Sequence, residues 1–257
     1  MISGVKAQNM YQFFVEPNQI DENNKRVIII GTDVNHIKNV LRMKVGEELA
    51  VSNGIDGREY RCGIVALEED AVECELRFIK EDAVELPVKV TLFQGLPKGD
   101  KKELIIQKAV ELGVTEIVPV ATKRCVVKLD DKKAASKVAR WQSIAEAAAK
   151  QSKRGIIPQV LPVQSFKLAL QQAAEMDVRL IPYELASGME HTRELLGSLK
   201  SGQSVAILIG PEGGFEESEI DLAEENGVES ITLGKRILRT ETAGMTVLAW
   251  IGYLMEK

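Results

Sequence analysis

Between Met10 and about residue 85 the apolar positions fall in short runs: YQFFV, RVIII, ELAVS, REYRCGIVAL and AVECELRFI. Alternation of apolar with polar side chains, punctuated by Gly31, Gly46, Gly54, Gly57 and Gly63, predicts half-buried strands separated by turns. One segment breaks the pattern. DVNHIKNVLRM predicts a helix with Asp33 as its N-cap and with Ile37, Val40 and Leu41 on one face. Residues 10–85 therefore read as a small β-rich barrel module. Residues 1–9 show no periodicity and read as a flexible extension.

The rhythm changes after Leu86-Pro87. Six short apolar runs (VKVTLFQ, TEIVPV, IIPQVL, DVRLIPYE, SVAILIG, VESITLG) alternate with segments of helical period, among them DKKELIIQKAVELG, AASKVARWQSIAEAAAK and a last helix from about Glu241. That succession predicts an α/β domain over residues 86–257, built on a mainly parallel sheet covered on both faces.

The chain has 38 acidic and 33 basic residues and a formal charge of −5. This total disfavours a binder that relies on a global cationic excess. The distribution alters the picture. Residues 68–86 hold eight acids against Arg77 and Lys80, and residues 210–230 hold eight acids and no base, which leaves 31 basic against 22 acidic residues elsewhere. Those acids are expected on the outer faces of the barrel and of the helix after GPEGGF. Residues 123–154 carry ten bases against three acids, with Trp141 among them. A run of charge is most often a solvated helix face. Here, together with Arg42 and Lys44 of VLRMK, it favours a phosphate-tracking surface, and Trp141 is expected to pack its helix into the core.

Cys62, Cys74 and Cys125 form no CxxC pair, and His36 and His191 are the sole histidines, so no compact metal site is proposed. The first ten residues lack a secretory apolar core, and the longest apolar run, residues 243–255, is too short for a bilayer. The expectation is a cytoplasmic protein with no membrane contact.

In a parallel sheet, ligands bind beyond the carboxyl ends of strands. Three such ends stand out: LIPYE, ILIG running into PEGGF, and ITLG running into KRILRTETAG. Glycines in PEGG would let the backbone approach a ligand, although a plain turn explains them equally well. Lys235, Arg236, Arg239 and Glu241 could anchor an anionic substrate beside a carboxylate, or form a solvated loop in which Thr240 or Thr242 caps the last helix. Neither a dinucleotide fingerprint nor a P-loop occurs.

At these motifs the chain resembles the bacterial 16S rRNA (uracil-N3)-methyltransferases of the SPOUT, or α/β-knot, class. The segments that carry the resemblance are HIKNVLRMKVGEEL, KGDKKELIIQKAVELGVTEIVPVATKRCVV, ARWQSIAEAAAKQSKRGIIPQV, ILIGPEGGFEESEI and ITLGKRILRTETAGMTVLAW, within about Tyr11 to Tyr253. Gln12 departs from the family, which usually has arginine there.

The resemblance implies an N-terminal PUA-like β-barrel followed by a SPOUT α/β domain with a C-terminal trefoil knot, and a homodimer. It implies S-adenosylmethionine as cofactor, held by Ile181, Tyr183, Glu184, Leu208, Gly210, Pro211, Gly213, Leu233, Gly234, Ile237 and Leu238. The implied substrate is one decoding-region uridine of 16S rRNA in the assembled small ribosomal subunit. Under that reading Glu241, with Glu212 second, would accept the uracil N3 proton, and Arg239 would stabilise charge on the uracil oxygens. Glu241 could equally be a carboxylate serving the helix dipole. RNA contacts would come from Arg42, Lys44, Lys123, Arg124, Arg140 and Arg154. Two rivals stay open: another SPOUT methyltransferase acting on a ribose 2′-hydroxyl or a guanine ring nitrogen, and a non-catalytic RNA-binding adaptor.

Overall fold

A computed structural model describes residues 10–81, 84–184, 186 and 188–256. The N-terminal extension expected for residues 1–9, and Asp82 of the first acidic stretch, lie outside them. The chain divides into two compact units, Met1–Glu85 with Lys153–Ile157, and Leu86–Ser152 with Pro158–Lys257. The return of five residues to the first unit has no counterpart in the expected boundaries.

The first unit is one mixed sheet of β1 (Gln12–Phe14), β2 (Ile20–Asp21), β3 (Arg26–Ile30), β4 (Glu48–Ser52), β5 (Glu59–Leu67) and β6 (Ala71–Lys80), in the order β1-β4-β5-β6-β3-β2. The β1–β4 pair is parallel and the others antiparallel. Alternate residues Val27, Ile29, Leu49, Val51, Val72 and Cys74 meet Phe13, Ile37 and Tyr60 in its core.

The expected helix is shorter and differently wound. A single turn, α1 (Thr32–Asn35), follows Gly31 at the N-cap and runs into a π-helical turn at His36–Val40. Asp33 therefore lies inside the helix and is not its cap. The i→i+5 bond from Leu41 N to His36 O widens the winding. Ile37 stays buried while Val40 is turned out of phase and is 61% exposed.

Residues 153–157 are stitched into this unit. Both oxygens of Glu85 accept from Arg154, while the backbone N–H groups of Gly155 (3.1 Å) and Ile156 (3.2 Å) donate to its Oε1. Gln12 donates through Nε2 to the Arg154 carbonyl and to Ser52 Oγ, both at 3.0 Å. Arg154 is only 3% exposed. The RNA contact expected of it is thus corrected: its guanidinium is consumed inside the protein, and Gln12 serves the same strap. Glu85, counted among outward acids, is likewise turned in.

The second unit is a seven-stranded sheet. It contains β7 (Lys89–Gly95), β8 (Glu116–Ala121), β9 (Gln159–Val160), β10 (Gln164–Ser165), β11 (Val178–Pro182), β12 (Ser204–Ile209) and β13 (Glu229–Ile231). Its order is β10-β8-β7-β12-β11-β13, with β9 also on β8, and every pairing is parallel. Helices α2 (Lys101–Glu111), α3 (Asp131–Gln151), α4 (Phe166–Ala173), α5 (Met189–Gly197), α6 (Glu217–Glu225) and α7 (Thr240–Met255) connect and cover it. On one face Phe93, Val118 and Leu208 pack with α4 and α6 residues Phe166, Leu170 and Ile220. On the other, the small Gly244 brings α7 against Leu92 and Ile209.

Trp141 of α3 is buried, as expected, and its ring lies 5.6 Å from the ammonium of Lys102. Lys102 is itself buried, and burial pulls its pKa down to about 7. Among the described residues no helix is long and apolar enough to cross a membrane.

Two outcomes follow for stability. Glu85→Ala strips the acceptor from a buried guanidinium and two backbone donors, so urea unfolding should show a loss of about 3–5 kcal/mol, whereas Glu73→Ala at the exposed Arg26 pair should cost under about 1 kcal/mol. Lys102 binds a proton more weakly folded than unfolded, so its penalty is greatest below pH 7 and fades as pH rises towards the ordinary lysine range. Lys102→Met should therefore stabilise the protein by about 1–4 kcal/mol at pH 6 and lose that advantage by about pH 10 in the same assay.

Candidate active site at the carboxyl ends of the sheet

The chain starts the second sheet at β7, builds outward on one side through β8, then returns so that β12 lies between β7 and β11. That reversal opens a crevice where strand ends diverge. A cavity of about 670 Å³ lies there, lined by the segments after β11, β12 and β13 together with Lys101, Arg124, Thr240 and Ala243. Its volume falls in the range of small-molecule sites, about 300–1,000 Å³.

The loop after β12 turns back sharply. Gly214 N donates to Pro211 O at 2.9 Å, with Gly214 at φ +67°, and a Cβ on Gly210 would stand 2.9 Å from the Gly214 carbonyl carbon. The turn in PEGG is thus real, and it also forms a cavity wall. Buried Ile209, Pro211, Phe215 and Ala243 supply an apolar floor. Tyr183, Glu184, Gly213, Leu233, Gly234, Ile237 and Leu238 also line it.

Ile181 and Leu208 do not line it. Both are essentially fully buried in the packed sheet, because successive strand side chains point to opposite faces and theirs face the core under α4 and α6. Strand β13 ends at Ile231, so Leu233 is a loop residue facing the cavity and not a strand core residue.

The three candidate catalytic side chains divide. Arg239 and Glu212 line the cavity. Glu241 is not among the lining residues; its carboxylate faces Lys101. Lys101, at the start of α2, joins them, with its ammonium 3.1 Å from Glu212 Oε1 and 3.5 Å from Glu241 Oε2. Glu241 Oε2 is within ion-pair range yet buried with no hydrogen-bond donor among the described residues, so the contact is electrostatic.

Burial opposes ionisation of Glu212, but backbone N–H groups of Glu212 and Lys98 and the Lys101 ammonium outweigh it and hold the carboxyl below its ordinary range. Sequence reading missed Lys101 because one more lysine in LPKGDKKEL carries no signal of which carboxylates it will meet.

Thr240 does not cap α7. Arg239 occupies the N-cap, and the Thr240 hydroxyl donates to the Gly210 carbonyl at 2.6 Å. The expected RNA contacts also divide. Arg124 lines the cavity and donates to the Gly213 carbonyl at 2.9 Å, so it braces the glycine loop. Lys123 is tied to Ser218 and Glu216, and its backbone N–H donates to Glu219, which is 3% exposed rather than outward. Arg140 is exposed and paired with Glu103 at 2.8 Å. Lys132, Lys133 and Lys137 are exposed on the same helix, while Arg42 and Lys44 are exposed in the first unit.

The two units match family models of RNA methyltransferases. The model described as an RNA methyltransferase domain matches residues 84–252, and that described as an RNA methyltransferase PUA domain matches residues 29–77. The ribosomal RNA small subunit methyltransferase E of Bacillus subtilis (strain 168) is 42% identical over 96% of this chain and 98% of its own length. A crystal structure of the Neisseria gonorrhoeae methyltransferase E bound to S-adenosyl methionine is 33% identical, with TM-score 0.80, covering 95% of this chain and 98% of that one. Another crystal structure, of a hypothetical protein, is 41% identical, with TM-score 0.88, covering 95% of this chain and 98% of that one. The chain belongs to the ribosomal RNA small subunit methyltransferase E family.

Lys101→Met should raise the Glu212 titration towards the ordinary glutamate range, read by carboxyl carbon NMR across pH. An unmoved midpoint would remove Lys101 from those causes and leave the backbone N–H groups.

Proposed function

We propose that this protein transfers a methyl group from S-adenosylmethionine to N3 of one decoding-region uridine of 16S rRNA, acting in the cytoplasm as a homodimer on the assembled small subunit. In this reading the first unit is a PUA-like barrel. The second is a SPOUT domain whose C-terminal segment forms a trefoil knot. The observation that carries the proposal is the cavity itself: an apolar floor and glycine wall, with Lys101, Arg124, Lys235, Arg236 and Arg239 around it.

The residues present fit the cofactor. Tyr183, Leu233, Ile237 and Leu238 offer apolar surface, Gly210, Pro211, Gly213 and Gly234 offer close backbone approach, and Glu184 and Glu212 favour a cationic ligand. When bound, S-adenosylmethionine supplies a methyl group already activated on a positively charged sulfur. The protein's part is then alignment, the removal of a proton and the placement of charge.

Glu212, facing the cavity, accepts the N3 proton, and Arg239 faces the charge that develops on the uracil oxygens. Its depressed pKa keeps Glu212 ionised near neutral pH but makes it a modest base, so alignment carries the larger share. Glu241 acts through Lys101. Exposed Arg42, Lys44, Lys123, Arg140 and the α3 lysines would supply phosphate contacts.

The direct test is labelled methyl transfer to small subunits lacking the modification, with the product nucleoside mapped by mass spectrometry. Methylation at a ribose oxygen or a guanine nitrogen would refute the N3 assignment, and no transfer would leave the adaptor reading. Glu212→Gln should slow single-turnover methylation by about 10²-fold, with Glu241→Gln milder. Equal rates for Glu212→Gln and wild type would reassign the base. Arg140→Ala should flatten the log affinity against log salt slope by about 0.9, with Glu85→Gln leaving that slope unchanged.

A further inference from the structure

Beneath the cavity lies a polar connection that joins three segments distant in sequence. Gln94, at the carboxyl end of β7, is fully buried. Its Nε2 donates to Thr240 Oγ1 at 2.9 Å and to the Gly95 carbonyl at 3.2 Å, and lies 3.5 Å from the Gly210 carbonyl. Thr240 Oγ1 in turn donates to Gly210 O at 2.6 Å.

The direction of these bonds follows from chemistry. A backbone carbonyl can only accept, so the single hydroxyl proton of Thr240 points at Gly210, and the amide nitrogen of Gln94, not its oxygen, must face the hydroxyl. The remaining amide oxygen, Gln94 Oε1, is buried with no hydrogen-bond partner among the described residues. An apolar side chain would avoid that loss, so what the amide contributes here lies with its nitrogen.

The packing permits little slack. A Cβ on Gly95 would stand 2.7 Å from Pro211 N, so the end of β7 and the loop after β12 touch backbone to backbone. Gly210 begins the glycine wall, and Thr240 is the first residue of α7, flanked by Arg239 and Glu241. One side chain therefore ties the wall that approaches the cofactor to the helix turn that presents the charged groups.

We infer that Gln94 is a positioning residue: acting through the Thr240 hydroxyl, it fixes the Gly210 carbonyl and the first turn of α7 relative to one another, and so sets the distance between methyl donor and reacting base. This rests on the methyltransferase reading above. Gln94 is buried and does not line the cavity. Thr240→Ser keeps the hydroxyl, Thr240→Val keeps the shape without it, and Gln94→Met keeps the length without a donor.

The test has two arms. In methyl transfer to unmodified small subunits, Gln94→Met and Thr240→Val should each lower kcat and cofactor affinity by about 10- to 100-fold, with KM for subunits unchanged, Thr240→Ser within about threefold of wild type, and the double variant no worse than either single one. In ligand-free protein, hydrogen exchange should accelerate at the amides of Gly214 and Ala243, bonded to Pro211 O and Arg239 O, in Gln94→Met and Thr240→Val but not in Thr240→Ser. Unchanged exchange in the first two, equal damage from serine and valine, or additive effects would overturn the inference. A wild-type protein that transfers no methyl group would refute the functional reading instead, and the exchange arm would still decide this one.

Discussion

Strand β12 has to bury both of its faces, and the site is a by-product of how it does so. Its residues Val205 to Ile209 are all buried, hydrogen-bonded between β7 and β11 and sandwiched by α7 on one side and the α4–α6 layer on the other. A strand enclosed in this way leaves no freedom for the loop that follows it. The glycine turn is pressed against the end of β7 and braced by Arg124, so backbone that would be mobile on an exposed loop becomes a fixed wall. The segments after β11 and β13 close the cavity from the neighbouring strands. Rigid placement of this kind is what an aligned bimolecular displacement requires.

Charge in this protein does two separate jobs. Some of it is structural: the Glu85–Arg154 pair holds a returning strap in the first unit, and Glu219 receives the backbone N–H groups of Lys123 and Glu216. Other charge is presented outward, including the basic side chains on the first two-thirds of α3 and those around the cavity. The formal total of −5 describes neither population. Surface lysines contribute to long-range attraction of a polyanion, whereas a buried pair contributes none, because its field is cancelled within a few ångströms.

At the cavity the same separation operates at short range. Lys101 stands between two carboxylates, one from the loop after β12 and one from the first turn of α7, so Glu212 is ionised and oriented while Glu241 is drawn aside. The polar connection from Gln94 through Thr240 to Gly210 lies under this arrangement and couples its halves. Ionic contacts at the rim and neutral hydrogen bonds beneath it thus have distinct roles, the first adjusting charge and the second adjusting position.

Local chemistry was legible in the sequence. Alternation of period two marked the long strands of the first unit, short apolar runs marked those of the second, apolar stripes and small residues marked the helices, and two of the three strand ends that line the cavity carried glycines or clustered charge, because each of these signals depends on neighbours within a few residues. Pairing across the chain was not legible. That Arg154 would meet Glu85, that Lys101 would meet Glu212 and Glu241, and that Thr240 would turn inward to Gly210 are consequences of which strand lies beside which. A sequence records side-chain types along one dimension; the insertion of β12 between β7 and β11 decided their partners, and burial then fixed which charges were spent within the fold and which remained to act.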